Sequence, residues 1–170
     1  LLVALDPSRA ARVPFVATVG AYADLDTALH FLATGRTLHR GRRRVVKPDP
    51  YGQLVLVRTC AELLPAPRDR EVLETMVTRR LGDPAAPLED LAATLGPESR
   101  VIYDLFETAA PDEVPGLIAR LPAELRARMA ELSPGRRDFA PLRARLYLAH
   151  DREDRTFPVS ESERLAARAR

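Results

Sequence analysis

Apolar positions in this chain fall into two kinds of run. Val13 to Gly20 (VPFVATVG) is a near-continuous, β-branched stretch ended by glycine, and Arg145 to Ala149 (RLYLA) is a second short apolar stretch. The continuity of the first suits a strand buried on both faces, as in a parallel sheet, and the second is read the same way. Between them, over about 125 residues, the spacing is mostly helical. Leu25 to Ala33 carries apolar residues at helical spacing and stops at Thr34-Gly35, and the same period recurs over 54–64, 71–81 and 88–95. Ser99 to Thr108 has Ser99 as a candidate N-cap, with Ile102, Leu105 and Phe106 on one face. Asp112 to Arg120 and Pro122 to Leu132 open with acidic or proline start signals. At the start of the chain, Leu1 to Leu5 reads as the last turns of a helix stopped before Asp6-Pro7.

Two strands separated by so long a crossover predict a parallel pair, and hence an α/β core interrupted by a helical cap. An all-helical bundle is the competing view, and the two β-rich runs count against it. The segments are 1–20 (helix end and core strand), 21–140 (helical cap insertion) and 141–170 (core strand, acidic loop and helix). Prolines punctuate the short helices, and no internal repeat or low-complexity tract appears.

Composition narrows this only a little. The 170 residues suffice to bury a real core, and 46% hydrophobic with 29% charged content is ordinary for a globular chain. Net charge is +2, which gives no ground for expecting a nucleic-acid or membrane partner. No apolar run approaches the ~18 residues of a membrane span. Cys60 stands alone in LVLVRTCAELL, so it excludes an internal disulfide and reads as a buried, inert thiol. There is no signal-peptide pattern, and the compartment defaults to cytoplasmic. The chain begins at Leu1 and ends inside a helical pattern at Arg170, so both ends are expected to be cut.

The candidate chemistry gathers in HDREDRTFPVSESERLA, after the second strand. Asp151, Glu153 and Asp154 follow the end of that strand, where open α/β sheets bind ligands. A carboxylate held there by loop N–H groups can orient a histidine and stabilise its imidazolium. A solvated turn whose acids only cap the next helix is the plainer alternative. His150 is read as packing or hydrogen-bonding locally rather than as a base, and His30 and His39 as surface or packing residues. No cluster has metal-ligand spacing, no Gly-rich phosphate loop occurs, and no cofactor is expected. None of the five serines lies in G-x-S-x-G; Ser133, in ELSPG, comes nearest but follows a helix and is rejected as a nucleophile. The run Arg36 to Lys47 holds four arginines at positions 40 to 44 without interleaved aromatics. A solvated loop on the cap is the reading preferred to nucleic-acid binding.

HDREDRTFPVSESERLA resembles the late segment of α/β-hydrolases. There a strand ending in His-Gly is followed by two residues, Asp, three residues and Pro, and Asp154 and Pro158 match, with Asp151 where glycine is common. LLVALDPSRAARVPFVATVGAYADL is similar to the helix after the nucleophile elbow and the next core strand. The likeness continues through FLATGR, PDPYG and LSPGRRDFAPLRARLYL. It implies a serine hydrolase cleaving an ester or similar small acyl substrate, with Asp154 as the triad acid. Chain order in the family is Ser, then Asp or Glu, then His. The serine is therefore expected before Leu1 and the histidine beyond Arg170, leaving an inert and marginally folded internal piece whose first strand exposes a hydrophobic edge. Tyr22 and Asp24, just after Gly20, are candidate pocket residues from position. Two alternatives remain: a helical nucleic-acid-binding or regulatory module using Arg40 to Arg44, and a non-catalytic hydrolase-like domain. Oligomeric state is not indicated.

Overall fold

The computed structural model describes all residues from Leu1 to Arg170. It is a mixed α/β structure with a small parallel sheet and many short helices. The chain divides into two compact units. One comprises residues 1–31, 35–47 and 128–170, and the other comprises 32–34 and 48–127.

The first unit holds the expected strand pair. β1 (Phe15–Val19) and β4 (Arg145–Ala149) run parallel, in register from Phe15 opposite Arg145 to Val19 opposite Ala149. The first strand starts two residues later than its apolar run. Pro14 has no N–H to give a ladder, and its carbonyl instead accepts the N–H of Arg145. The expectation of a strand buried on both faces is corrected. Phe15, Ala17 and Val19 all face outward, with Val19 87% exposed, because the sheet has only two strands and nothing covers that face. Tyr147 shares the open face and meets Phe15 edge-on, ring centroids 6.5 Å apart.

Around the pair stand α1 (Leu2–Leu5), α2 (Leu25–Thr34) and α9 (Ser160–Arg168). The helix α2 stops where expected, at Gly35. The basic run, expected as a loop, is instead a hairpin of β2 (Arg36–His39) and β3 (Arg42–Val45). Its two turn residues, Arg40 and Gly41, both have positive φ (49° and 75°), which matches the right-handed twist of a two-residue hairpin. This hairpin and α2 as far as Phe31 belong with the strands. The helical segment that separates as its own unit is accordingly 48–127 with 32–34, shorter than the expected 21–140.

That second unit contains α3 (Pro50–Glu62), α4 (Pro67–Gly82), α5 (Glu89–Ala92), α6 (Pro97–Glu107) and α7 (Val114–Arg120). The helix α8 (Ala123–Leu132) passes from it into the first unit. Leu64, Leu73, Ile102 and Val114 are among its fully buried side chains. Ser99 does not cap α6, as expected from sequence: Gly96 stands at the N-cap. Ser99 lies one turn inside and donates 2.6 Å to the buried Asp69 carboxylate, which also accepts the Gly96 N–H. Cys60 is buried, and burial pushes its thiol up to about 12. No helix is long and apolar enough to cross a membrane.

Candidate functional site

The strand ends build the site. The Gly20 N–H donates to the Ala149 carbonyl, so the two segments leave the sheet side by side. Beyond β4 the loop turns twice. Asp151 accepts the Glu153 N–H and points to solvent, and Glu153 is exposed as well. Asp154 alone of the three acids turns inward, its side chain 22% exposed. Its Oδ1 accepts the N–H groups of Thr156 (2.7 Å) and Phe157 (2.9 Å), a local turn that short Asx side chains favour. Its Oδ2 faces Gly20 and lies 3.5 Å from His150 Nε2. At Gly20, with φ of 63°, a Cβ would stand 3.2 Å from that oxygen, so the absent side chain is what lets the carboxylate approach β1.

His150, 3% exposed, braces the loop from beneath. Its Nε2 lies 2.8 Å from the Phe157 carbonyl, which only accepts, so in the neutral ring Nε2 carries the proton. Nδ1 then accepts the Ser162 hydroxyl at 2.6 Å. Ser162, His150 and Asp154 thus form a line of contacts resembling a triad. Ser162 is buried in the first turn of α9, however, and His150 has its shortest Nε2 contact with a backbone carbonyl rather than the acid. The line joins the strand, the loop and the helix, and it offers no accessible nucleophile.

Across the strand ends, Tyr22 packs on Phe157 with ring centroids 5.3 Å apart, and burial pushes its phenol upward. Asp24 is the N-cap of α2, accepting the Asp26 N–H. Its other partner is Arg136, whose Nε and Nη2 both reach it, at 2.6 and 3.1 Å. Burial pushes the Asp24 carboxyl up, but Arg136 and the Asp26 and Thr27 contacts outweigh this and hold it below the usual range. Both oxygens of Asp24 are therefore engaged in holding α2 in place.

Glu161 is the residue sequence reasoning missed. It is 1% exposed, yet four donors satisfy its carboxylate. Oε2 accepts the N–H groups of Ala23 and Asp24, both at 3.0 Å, and Oε1 accepts Thr27 Oγ1 at 2.8 Å and Arg164 Nη1 at 3.0 Å. The first turn of α9 thereby fixes the segment between β1 and α2 that carries Tyr22. The signal available was the four-residue spacing of Glu161 and the apolar Leu165, which puts the acid on the buried side of its helix. Ser133 is likewise structural: its fully buried hydroxyl donates to the Met129 carbonyl and accepts the Leu25 N–H. No family model, curated protein or solved structure matches this chain.

Proposed function

We propose that this chain carries the acid of a Ser-Asp-His triad in an α/β-hydrolase-like protein that cleaves an ester or similar acyl substrate. The supporting observation is the Asp154 carboxylate: one oxygen is tied to loop N–H groups and the other is directed at the parallel strand ends. That division of labour suits an orienting acid. The tied oxygen fixes the carboxylate, while Oδ2 accepts from the Nδ1–H of a histidine and stabilises the imidazolium formed when serine is deprotonated.

In this reading the serine and the histidine are contributed from outside residues 1–170. Ser133 and Ser162 are buried with their hydroxyls engaged, and His150 is held by Ser162 and Phe157. Tyr22 and Phe157 form an aromatic wall beside the acid, and the helices of 48–127 correspond to the cap insertion.

Labelling with a fluorophosphonate, which reacts with activated serines, tests the reading. The 170-residue chain should remain unlabelled, and the complete gene product containing it should be labelled at a serine outside these residues. Label on Ser162 or Ser133 would overturn the proposal.

A further inference from the structure

The β2–β3 hairpin presents a charged face that the proposed hydrolysis does not use. Four arginines, at positions 40, 42, 43 and 44, sit within five residues, and all are exposed. No acidic side chain pairs with any of them. The net charge of the chain, +2, conceals this concentration.

Cross-strand pairing sorts the hairpin into two faces. Thr37 pairs with Arg44 and His39 with Arg42, and this face turns toward α9. There Thr37 Oγ1 lies 3.0 Å from Ser160 Oγ, and His39 Nδ1 lies 3.1 Å from Glu163 Oε1, though not aligned for a hydrogen bond. These contacts pin the ribbon. The opposite face carries Leu38 against Arg43 and Val45 beside them, with Leu38 49% and Val45 80% exposed. Arg43 on this face and Arg40 at the turn therefore flank two exposed apolar side chains, while the exposed Arg42 and Arg44 lie on the other face of the same ribbon.

We propose that this hairpin docks on an anionic phospholipid surface. Guanidinium groups suit phosphate and carboxylate headgroups because their planar donors bind bidentately. Leu38 and Val45 enter the boundary between headgroups and acyl chains, as apolar residues of interfacial elements do. Charge complementarity alone would serve nucleic acid equally well. The exposed apolar pair favours the bilayer, as does the absence of any Phe, Tyr or Trp on the ribbon to stack on bases, its one ring, His39, being turned toward Glu163 of α9.

Vesicle co-sedimentation of the 170-residue chain provides the test. Vesicles of phosphatidylcholine with phosphatidylserine should bind the chain, vesicles of phosphatidylcholine alone should not, and added salt should release it. Each basic residue near an anionic leaflet is worth about fivefold in partitioning, so replacing all four arginines with Gln should weaken binding by about a hundredfold or more. The double variant Leu38→Ser, Val45→Ser should also bind more weakly, with an unchanged circular dichroism spectrum. Equal partitioning into both vesicle types overturns the proposal. So does salt-insensitive binding, or a preference for duplex DNA that is indifferent to Leu38 and Val45.

Discussion

Asp154 Oδ2 stands 3.2 Å from the point where a Cβ on Gly20 would be, an approach tighter than a side chain at position 20 would ordinarily meet. Gly20→Ala brings a methyl group into that contact and also forces an L-residue to φ of 63°. The left-handed conformation alone costs roughly 1–2 kcal/mol. Urea unfolding of this variant should show a midpoint lowered to that degree, and Asp154 should move away from the strand ends. An unchanged midpoint would mean that the loop does not rest on Gly20.

Glu161 joins α9 to the segment after β1 through three hydrogen bonds, from Ala23, Asp24 and Thr27, and accepts a fourth from Arg164 on its own helix. Glu161→Ala leaves the buried Ala23 N–H without a partner, and such losses at charged acceptors run to about 3 kcal/mol. Glu161→Gln keeps an acceptor oxygen and should cost less. Chemical denaturation of the two variants separates these outcomes, and equal stability of both with the parent would contradict the clamp.

Asp24 gives the fold a dependence on acid. Its folded carboxyl lies below the usual range, against an unfolded value of about 3.9. Above the unfolded value both states are ionised and the stabilisation is complete. As pH falls below about 4 the unfolded state takes up the proton first, and stability declines until the folded group is protonated too. Asp24→Asn should therefore flatten the pH dependence of unfolding below about pH 4, as followed by circular dichroism.

The open face of the sheet, with Phe15, Val19 and Tyr147 exposed, makes the chain prone to self-association, since flat apolar strands with unpaired edges template further pairing. Val19→Lys places a charge on that face and should lower the association seen by light scattering without reducing thermal stability.

How much of this was legible in sequence depended on whether its cause was local. The strand Arg145–Ala149 and the end of α2 at Gly35 follow from apolar continuity and a helix-stopping glycine, and both match the structure. The hairpin was hidden because arginine occupies both faces of β3, which erases the alternation that marks a strand. Its remaining signal was the His-Arg-Gly-Arg turn. Ser99 resembled a cap, but a partner thirty residues away, Asp69, decided its place. The spacing of Glu161 to Leu165 signals its burial only; its role and that of Ser162 come from contacts with Ala23 and His150, across the chain and across the loop. At the site, the residues alone leave Asp151, Glu153 and Asp154 open, and only the resemblance to α/β-hydrolases, through the match of Asp154 and Pro158, singles out Asp154. The structure separates them by which carboxylate turns inward.

If Asp154 orients a histidine for acyl transfer, as proposed, the kinetics of the complete gene product containing residues 1–170 depend on its charge. Asp154→Asn preserves shape but removes the charge, and in a triad such a change lowers kcat about ten-thousandfold. The proposal predicts a fall of that order on ester substrates, with Asp151→Asn and Glu153→Gln close to the parent. Full activity in Asp154→Asn, or ester turnover by the 170-residue chain that disappears in Ser162→Ala, would contradict it.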